Sequence, residues 1–220
     1  MTENERVQKH LDLLIQRYPK LASSAKEIMD AFFMMKDCFE HGGKLLTAGN
    51  GGSAADCEHI AGELVKSFRM PRPVTKEYAG RLKEADAVIG EKLARNLERG
   101  LPVLPLPAFE ALITAYINDK DGQDVFAQQL SVYGNKGDVF LAISTSGSSI
   151  NILNAAAAAR AGGIKIIGLT GADGGRLAKA ADTAVRVPET ETYRIQELHL
   201  PVYHCWCLML EEYFFGENGK

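Results

Sequence analysis

Two pairs of side chains suited to proton transfer or metal binding lie at helical spacing in widely separated parts of the chain. His59 and Glu63 are four residues apart, so on a helix both face the same side. Gln196 and His204 are eight residues apart, about two helical turns, and they also share a face. If the two helices meet, a carboxylate, two imidazoles and an amide oxygen can converge. Such groups suit acid–base catalysis, and nitrogen and oxygen donors of this kind also suit zinc.

The sequence GNGGS, residues 49–53, is a glycine-rich turn that leads directly into the first of these helices. Turns of this kind bind phosphate through backbone N–H groups and the positive end of the helix dipole. A P-loop is excluded because the turn lacks the Gly-Lys-Ser/Thr end of that motif and contains no lysine. Gly49, Gly51 and Ala54 match a dinucleotide-binding pattern, but the acidic residue expected about 20 residues later is missing. A sugar-phosphate site that includes Ser53 and a purely structural turn are the two remaining interpretations.

A second turn, STSGSS at residues 144–149, follows the strongest strand pattern and opens another helix. Hydroxyl and N–H groups at a helix N-terminus, without a lysine, form a small nest that suits one phosphate ester better than a nucleotide. We therefore expect a phosphate site here, against the alternative of serines clustered in an ordinary loop. A third loop, LTGADGG at residues 169–175, indicates a turn followed by a helix start.

The elements that must position these turns alternate between strand and helix. Apolar segments predict five strands, at residues 44–49, 102–106, 138–144, 164–170 and 183–188. Helical patterns cover residues 108–116, 124–133, 149–160, 175–181 and 193–214. This alternation predicts an α/β fold with a parallel sheet covered on both faces, and ligands at the carboxyl ends of its strands. The two prolines of the second strand favour an edge position.

Two further regions flank this pattern. Residues 1–43 are predicted to form N-terminal helices, and residues 74–101 form an insertion between the first helix of the sheet and the second strand. The insertion is predicted to be one amphipathic helix, whose apolar stripe consists of Leu82, Ala85, Ile89, Leu93 and Leu97. It could pack on its own domain, contact another subunit or cover the active site.

The composition is that of an ordinary globular protein. Hydrophobic residues make up 46% and charged residues 24% of the 220, and the formal net charge is −3. This balance argues against nucleic-acid and membrane-surface partners. No apolar run reaches the roughly 18–20 residues of a membrane span, and the polar start resembles no signal peptide. We therefore expect a cytoplasmic protein whose four scattered cysteines stay reduced.

Other residues of the last helix have simpler interpretations. His199 is expected in the core or at an interface, because it lies between leucines. Trp206, Met209 and Phe214 are expected in the core or at a subunit contact. The adjacent Glu211 and Glu212 are expected on a solvated face.

Five motifs together resemble the sugar isomerase (SIS) domain and, within it, the phosphoheptose isomerases. They are, in chain order, GNGGSAADCEHIAGEL, AYINDKDGQDVFAQQL, GDVFLAISTSGSS, GLTGADGG and RIQELHLPVYH. The resemblance covers nearly the whole chain apart from the insertion. It implies that residues 1–220 form a single SIS domain, a flavodoxin-like three-layer αβα sandwich with a five-stranded parallel sheet. It also implies a homotetramer.

The same resemblance implies an aldose–ketose isomerase that converts sedoheptulose 7-phosphate into D-glycero-D-manno-heptose 7-phosphate through an enediol. Glu63 would be the base and His204 the acid. It further implies zinc, bound by His59, Glu63, Gln196 and His204. The substrate-binding set expected from the turns and the resemblance together comprises Asn50, Gly51, Gly52, Ser53, Asn118, Asp119, Ser144, Thr145, Ser146, Ser149 and Gln196.

Three other functions stay open on the sequence alone. One SIS branch is an adaptor for the replication initiator DnaA; it has both turns but lacks the histidine–carboxylate pair, which is present here. The insertion leaves room for an isomerase of a different phosphosugar. A phosphosugar sensor would bind the same ligand without converting it. The sequence also leaves open whether a bound metal would act as a Lewis acid on the substrate.

Overall fold

A computed structural model describes residues 2–216 and places a five-stranded parallel sheet at the centre of the protein. Its strands are β1 (Leu45–Ala48), β2 (Val103–Pro105), β3 (Val139–Ile143), β4 (Lys165–Thr170) and β5 (Thr183–Arg186). The order across the sheet is β2-β1-β3-β4-β5, with every neighbouring pair parallel. This flavodoxin-like order confirms the predicted α/β fold, and β2 lies at an edge as predicted.

Helices cover both faces of this sheet. Residues 2–216 contain α1 (Glu3–Arg17), α2 (Ala25–Glu40), α3 (Gly52–Val65), α4 (Lys76–Ala85), α5 (Ala87–Asn96), α6 (Glu110–Asp119), α7 (Val125–Tyr133), α8 (Ile150–Ala161), α9 (Gly175–Ala180) and α10 (Thr192–Phe215). Short 3-10 helices lie at Pro19–Ser24, Leu106–Ala108 and Gly122–Asp124. The described part of the chain has no helix that is both long and apolar enough to cross a membrane.

Alternate strand residues point into two separate hydrophobic clusters, and this produces the three layers. Leu45 packs with residues of α1, α2, α3 and α10, whereas the next residue, Leu46, packs with residues of α7 and α8. In β3, Leu141 packs in the same cluster as Leu45, and Phe140 packs in the same cluster as Leu46. Because both faces of the sheet are covered, its strands are continuous apolar runs rather than alternating patterns.

The insertion forms two helices, so the prediction of one helix over residues 74–101 is wrong. The break falls at Asp86, whose side chain accepts hydrogen bonds from the N–H groups of Val88 and Ile89 at 2.9 and 2.7 Å and so caps α5. The helices pack on each other at Gly90, where an added Cβ would lie 1.9 Å from the backbone of α4. Ala85, Ile89 and Leu97 of the predicted stripe are exposed, so the stripe does not form one buried face.

A buried ion pair stabilises the segment that connects α3 to the two helices of the insertion, α4 and α5. Arg72 Nη2 lies 2.8 Å from Glu211 Oε1, and the two side chains are 0% and 1% exposed. Glu211 also accepts hydrogen bonds from the N–H groups of Phe68 and Arg69, both at 2.9 Å. The prediction of a solvated Glu211 is therefore wrong, because a partner 139 residues away in sequence compensates its charge inside the protein.

Other predictions for α10 are confirmed. Trp206 and Met209 lie in the core, and His199 is fully buried. All four cysteines are free thiols and all are buried.

Candidate active site

Three loops meet at the carboxyl edge of the sheet, where open parallel sheets bind their ligands. They follow β1, β3 and β4. The loops after β3 and β4 touch through glycines, since an added Cβ at Gly147 would lie 2.0 Å from the carbonyl oxygen of Gly174. The loop after β1 and the start of α8 are joined by reciprocal hydrogen bonds between the Asn50 and Asn151 amides, at 3.0 and 2.8 Å. The predicted phosphate and sugar turns are thus held together.

The turn after β3 forms a cradle of hydroxyl and N–H groups at the start of α8. Ser144 Oγ and Ser149 Oγ are 3.1 Å apart. Gly147 has a φ of 61°, which favours glycine and lets the chain fold back toward the helix. The Ser149 side chain makes no capping hydrogen bond, so it leaves the first N–H groups of α8 to a ligand. Thr145 is half-buried and Ser146 is exposed. This arrangement supplies the donors that one phosphate ester needs.

The turn after β1 brings backbone close to the side chain of Gln196. Gly51 has a φ of 55°, and an added Cβ at Gly52 would lie 2.6 Å from Gln196 Nε2. Any larger residue at position 52 would therefore collide with the amide of Gln196, so only glycine allows this contact. Asn50, Gly51 and Gly52 are exposed at the edge of the sheet, whereas Ser53 is buried beneath them.

The predicted meeting of α3 and α10 is observed for three of the four side chains, whereas Gln196 packs on Gly52 at the glycine turn instead. His59 Nε2 lies 3.2 Å from Glu63 Oε1 and 3.3 Å from His204 Nε2. The two imidazole rings are nearly perpendicular, with centroids 4.9 Å apart. The side chain of Glu63 is 17% exposed and that of His59 is 42% exposed. The carboxylate of Glu63 and the imidazoles of His59 and His204 therefore form one polar cluster on a partly open surface, where they can reach a bound molecule.

The environment of His204 makes it a weakly basic imidazole. Burial lowers its pKa, and the neighbouring His59 lowers that pKa further, while Glu63 raises it. Because the ordinary histidine pKa is about 6.5, His204 is neutral at about pH 7 and carries one transferable proton.

Arg72 fixes the end of α3 that carries Glu63. Its guanidinium donates to the carbonyl oxygens of Leu64 at 2.9 Å and Glu63 at 3.3 Å. Since Arg72 also pairs with Glu211 on α10, the buried ion pair ties the two helices together next to the cluster. No local sequence pattern predicts this support.

Two further side chains contact the cluster and were not predicted. The Tyr203 hydroxyl lies 3.1 Å from Asp56 Oδ1 and 3.0 Å from His59 Nδ1. Asp56 precedes His59 by three residues on α3, and Tyr203 follows Gln196 by seven on α10. Helical spacing therefore places each on a face already identified, and that spacing is the signal that could have found them.

Two predicted residues lie apart from this cluster. Asn118 and Asp119 are exposed at the end of α6, and Asn118 Nδ2 donates to Asp119 Oδ1 at 2.9 Å. Among the contacts described for residues 2–216, their side chains bond to each other rather than to His59 or the serine turn.

The side chains of the predicted zinc site are not arranged as metal ligands. Across the described residues, no group of three or more His, Cys, Asp and Glu side chains is arranged to hold a metal ion. His59 instead forms two close pairs, one with Glu63 and one with His204. The zinc site stays a prediction.

Comparison with known proteins shows which families and structures this chain is similar to. The family model described as "SIS domain" matches residues 14–103 and 100–171. A phosphoheptose isomerase of Alkalilimnicola ehrlichii is 35% identical over 98% of this chain and 99% of its own length. Another, of Aneurinibacillus thermoaerophilus, is 40% identical over 81% of this chain and 77% of its own. The solved structure of a phosphoheptose isomerase from Francisella tularensis matches with a TM-score of 0.73 and 31% identity, covering 96% of this chain and 98% of that one.

Proposed function

Since the chain belongs to the SIS-domain family and, within it, to the phosphoheptose isomerases, we propose that it converts sedoheptulose 7-phosphate into D-glycero-D-manno-heptose 7-phosphate. One observation carries the proposal: Glu63 and His204 meet at His59 on two helices that start at, or contact, the glycine turn. An aldose–ketose isomerisation needs a base, an acid and an anchor for the substrate. The site offers a carboxylate, a neutral imidazole and a hydroxyl-lined turn.

The phosphate of the substrate would bind at the turn after β3. Ser144, Thr145, Ser146 and Ser149 supply hydroxyls, and the N-terminus of the 12-residue α8 supplies N–H groups and a positive dipole. Asn50, Gly51 and Gly52 line the neighbouring edge, where the sugar would lie. Gln196, packed on Gly52, would orient it. Ser53 is buried and its N–H donates to the carbonyl oxygen of Asn50 at 3.0 Å, so its predicted contact with the substrate has no free donor on the backbone.

The spacing along the helices favours an extended sugar. Gln196 contacts Gly52, and eight residues later His204 contacts His59, which is seven residues beyond Gly52. At 1.5 Å per residue, the cluster lies about 10 Å along α3 from the glycine turn. A substrate that spans from the turns to the cluster needs a long carbon chain between its phosphate and its reacting carbons.

The proton transfers follow from the positions of Glu63 and His204. The Glu63 carboxylate removes a proton from C1 of the ketose while His204 gives its proton to the carbonyl oxygen at C2, and an enediol forms. Protonated Glu63 then returns a proton to C2, and His204 takes the hydroxyl proton from O1, which leaves an aldehyde at C1. Both residues end in their starting forms, as a catalyst requires.

We also propose zinc binding by His59, Glu63, Gln196 and His204. The donor types support it, because imidazole nitrogens and carboxylate oxygens are zinc ligands. As placed, the described side chains do not form a metal site, so binding would require at least one of them to move. No step above depends on a metal. Elemental analysis of the purified protein and of His59→Gln tests the proposal: about one zinc per chain in the former and none in the latter is expected, and no zinc in either would refute it.

The homotetramer and the cytoplasmic location are proposals as well. Large apolar side chains exposed on separate helices, among them Leu13, Phe33, Ile117 and Val132, support association. Four free cysteines support a reducing compartment. Light scattering coupled to gel filtration should give a mass near four times 24.0 kDa; a mass near 24.0 kDa would refute the tetramer.

Turnover of sedoheptulose 7-phosphate, followed by NMR, tests the proposed reaction. Wild-type protein should form the aldose, and Glu63→Gln should lose about 10²- to 10⁴-fold in rate because its amide cannot accept the proton. Glu58→Gln is the matched control, since Glu58 is an exposed residue of the same helix. Binding without conversion would favour a sensor. Conversion of another phosphosugar, without conversion of sedoheptulose 7-phosphate, would refute the proposed substrate but not the proposed class of reaction.

A further inference from the structure

Two asparagine side chains bridge the crevice at which an open sheet of this order binds its ligand. β1 and β3 are neighbours in the sheet. The helix that follows β1, α3, packs in the cluster with Leu45, whereas the helix that follows β3, α8, packs in the cluster with Leu46 on the opposite face. The two connecting loops therefore leave in opposite directions, which opens a crevice between them. Asn50 lies on one side of this crevice and Asn151 on the other.

The two amides hold each other by a reciprocal pair of hydrogen bonds. Asn50 Nδ2 donates to Asn151 Oδ1 at 3.0 Å, and Asn151 Nδ2 donates to Asn50 Oδ1 at 2.8 Å. Asparagine suits both positions, because each partner must present a donor and an acceptor side by side. A carboxamide has two N–H groups and two lone pairs on its oxygen, so each residue keeps one donor and one acceptor for a ligand. The bridge and a bound sugar hydroxyl can therefore be present together.

The two ends of this bridge differ in how firmly the backbone holds them. Asn151 is the second residue of the 12-residue α8, whose first turn is closed by a hydrogen bond from Leu153 N–H to the Ser149 carbonyl oxygen at 3.0 Å. Asn50 precedes two glycines, and the first of them, Gly51, has a φ of 55° and open space around it. Glycines give such a turn wide backbone freedom. Within residues 2–216, both hydrogen bonds of the Asn50 side chain are with Asn151. The helix therefore holds the turn in place.

The firmly held end of the bridge also belongs to the proposed phosphate site. Ser149 directly precedes α8 and makes no capping hydrogen bond with its side chain. The N–H of Asn151 is among the first N–H groups of the helix, which have no partner within the helix. The backbone of Asn151 therefore lies where the phosphate is proposed to bind, and its side chain reaches Asn50, where the sugar is proposed to bind. One residue thus sets the distance between these two contacts.

We propose that Asn151 is a positioning residue that holds Asn50, and with it the glycine turn, at the distance from the phosphate turn that one phosphosugar spans. It acts through Asn50. The choice of ligand rests on the proposed function, but the role concerns binding and requires no turnover. Loss of the bridge should weaken sugar-phosphate binding about 10-fold, the scale of the entropy lost when the backbone of one residue becomes fixed.

Calorimetry with two probes tests this role. Inorganic phosphate needs only the phosphate turn, whereas sedoheptulose 7-phosphate needs both turns. Both are titrated in the Glu63→Gln background, so that the sugar is not converted. Asn151→Ala should raise the Kd of sedoheptulose 7-phosphate about 10-fold and leave that of phosphate unchanged. Asn154→Ala is the matched control, because Asn154 lies on the same helix and its amide donates to Asp124 Oδ1 at 2.8 Å instead; it should change neither Kd.

A double-mutant cycle tests whether Asn151 acts through Asn50. In a chain that already carries Asn50→Ala, adding Asn151→Ala should have almost no further effect on the Kd of sedoheptulose 7-phosphate. Additive effects would overturn the proposal. It would also be overturned if Asn151→Ala changed neither Kd, or weakened the binding of both probes equally, because Asn151 would then act on the phosphate turn itself.

Turnover separates this role from the proposed function. In an active protein, Asn151→Ala should raise KM about 10-fold with kcat little changed, which is the signature of lost binding common to substrate and transition state. The expected Kd values in a protein without turnover would support the positioning role and refute the proposed function. Turnover with additive variants would refute the role and leave the function. Absence of sedoheptulose 7-phosphate binding would refute both.

Discussion

Acid is expected to destabilise this protein through one buried side chain, His199. It is 0% exposed on α10, and burial lowers its pKa from 6.5 to about 4. The Thr170 backbone offsets only part of this effect, and neither ring nitrogen makes a well-formed hydrogen bond. The unfolded chain therefore binds the proton more readily than the folded protein. The stability that neutral His199 provides is complete above about pH 6.5 and is lost as the pH falls toward 4.

The two pKa values set the size of this effect. One pH unit between them corresponds to about 1.4 kcal/mol, so the whole difference amounts to about 3 kcal/mol. Between about pH 7.5 and about pH 5, linkage gives a loss of about 2 kcal/mol in the free energy of unfolding from His199 alone.

Urea unfolding at fixed protein concentration measures this loss. The His199→Leu variant has no proton to bind, so its free energy of unfolding should fall by about 2 kcal/mol less than that of the wild type over the same pH interval. His41→Gln is the control, because the His41 side chain is 76% exposed; it should keep the wild-type pH dependence. Equal losses in the wild type and His199→Leu would refute the reasoning.

Three further substitutions test other contacts. Glu211→Ala leaves Arg72 buried without its carboxylate, and the free energy of unfolding in urea should fall by about 3–5 kcal/mol; a loss below about 1 kcal/mol would contradict a dry ion pair. Gly52→Ala adds a Cβ 2.6 Å from Gln196 Nε2, so kcat should drop while circular dichroism stays unchanged; full activity would argue against that contact. Ser146→Ala removes one hydroxyl from the phosphate turn, and KM should rise about 10-fold, since a hydrogen bond to a charged group contributes about 1.5–3 kcal/mol. An unchanged KM would place the phosphate elsewhere.

The sheet was predictable because its strands are buried on both faces. Such strands are short apolar runs with polar or glycine boundaries, and each of the five observed strands lies within two residues of its predicted bounds. The edge position of β2 followed from chemistry, because proline cannot donate to a neighbouring strand.

The structure of the insertion was harder to predict because its sequence contains one signal for a continuous helix and another for a helix break. Its apolar residues continue at helical spacing through Asp86, which favoured one helix. Asp86 is also a good N-cap, and Thr75 caps the preceding helix in the same way. Packing of the two halves at Gly90 decided the outcome, and that contact joins residues which periodicity alone does not pair.

The site was predictable where its residues share a helix face, as His59 and Glu63 do on α3 and Gln196 and His204 do on α10. Tyr203 was missed because an aromatic residue in an apolar helix is indistinguishable from core until its hydroxyl has a partner. Glu211 was missed for a related reason: its buried environment depends on a distant arginine, and no local pattern marks that pairing.

Isomerisation of sedoheptulose 7-phosphate in D₂O measures the proposed proton transfer most directly. The Glu63 side chain is partly exposed, so a proton it removes from C1 can exchange with solvent before it is returned. We predict an aldose that carries deuterium at C2 from the wild-type protein and no detectable product from Glu63→Gln over the same time. No turnover by the wild type, or equal turnover by the two proteins, would contradict an enediol mechanism with Glu63 as its base.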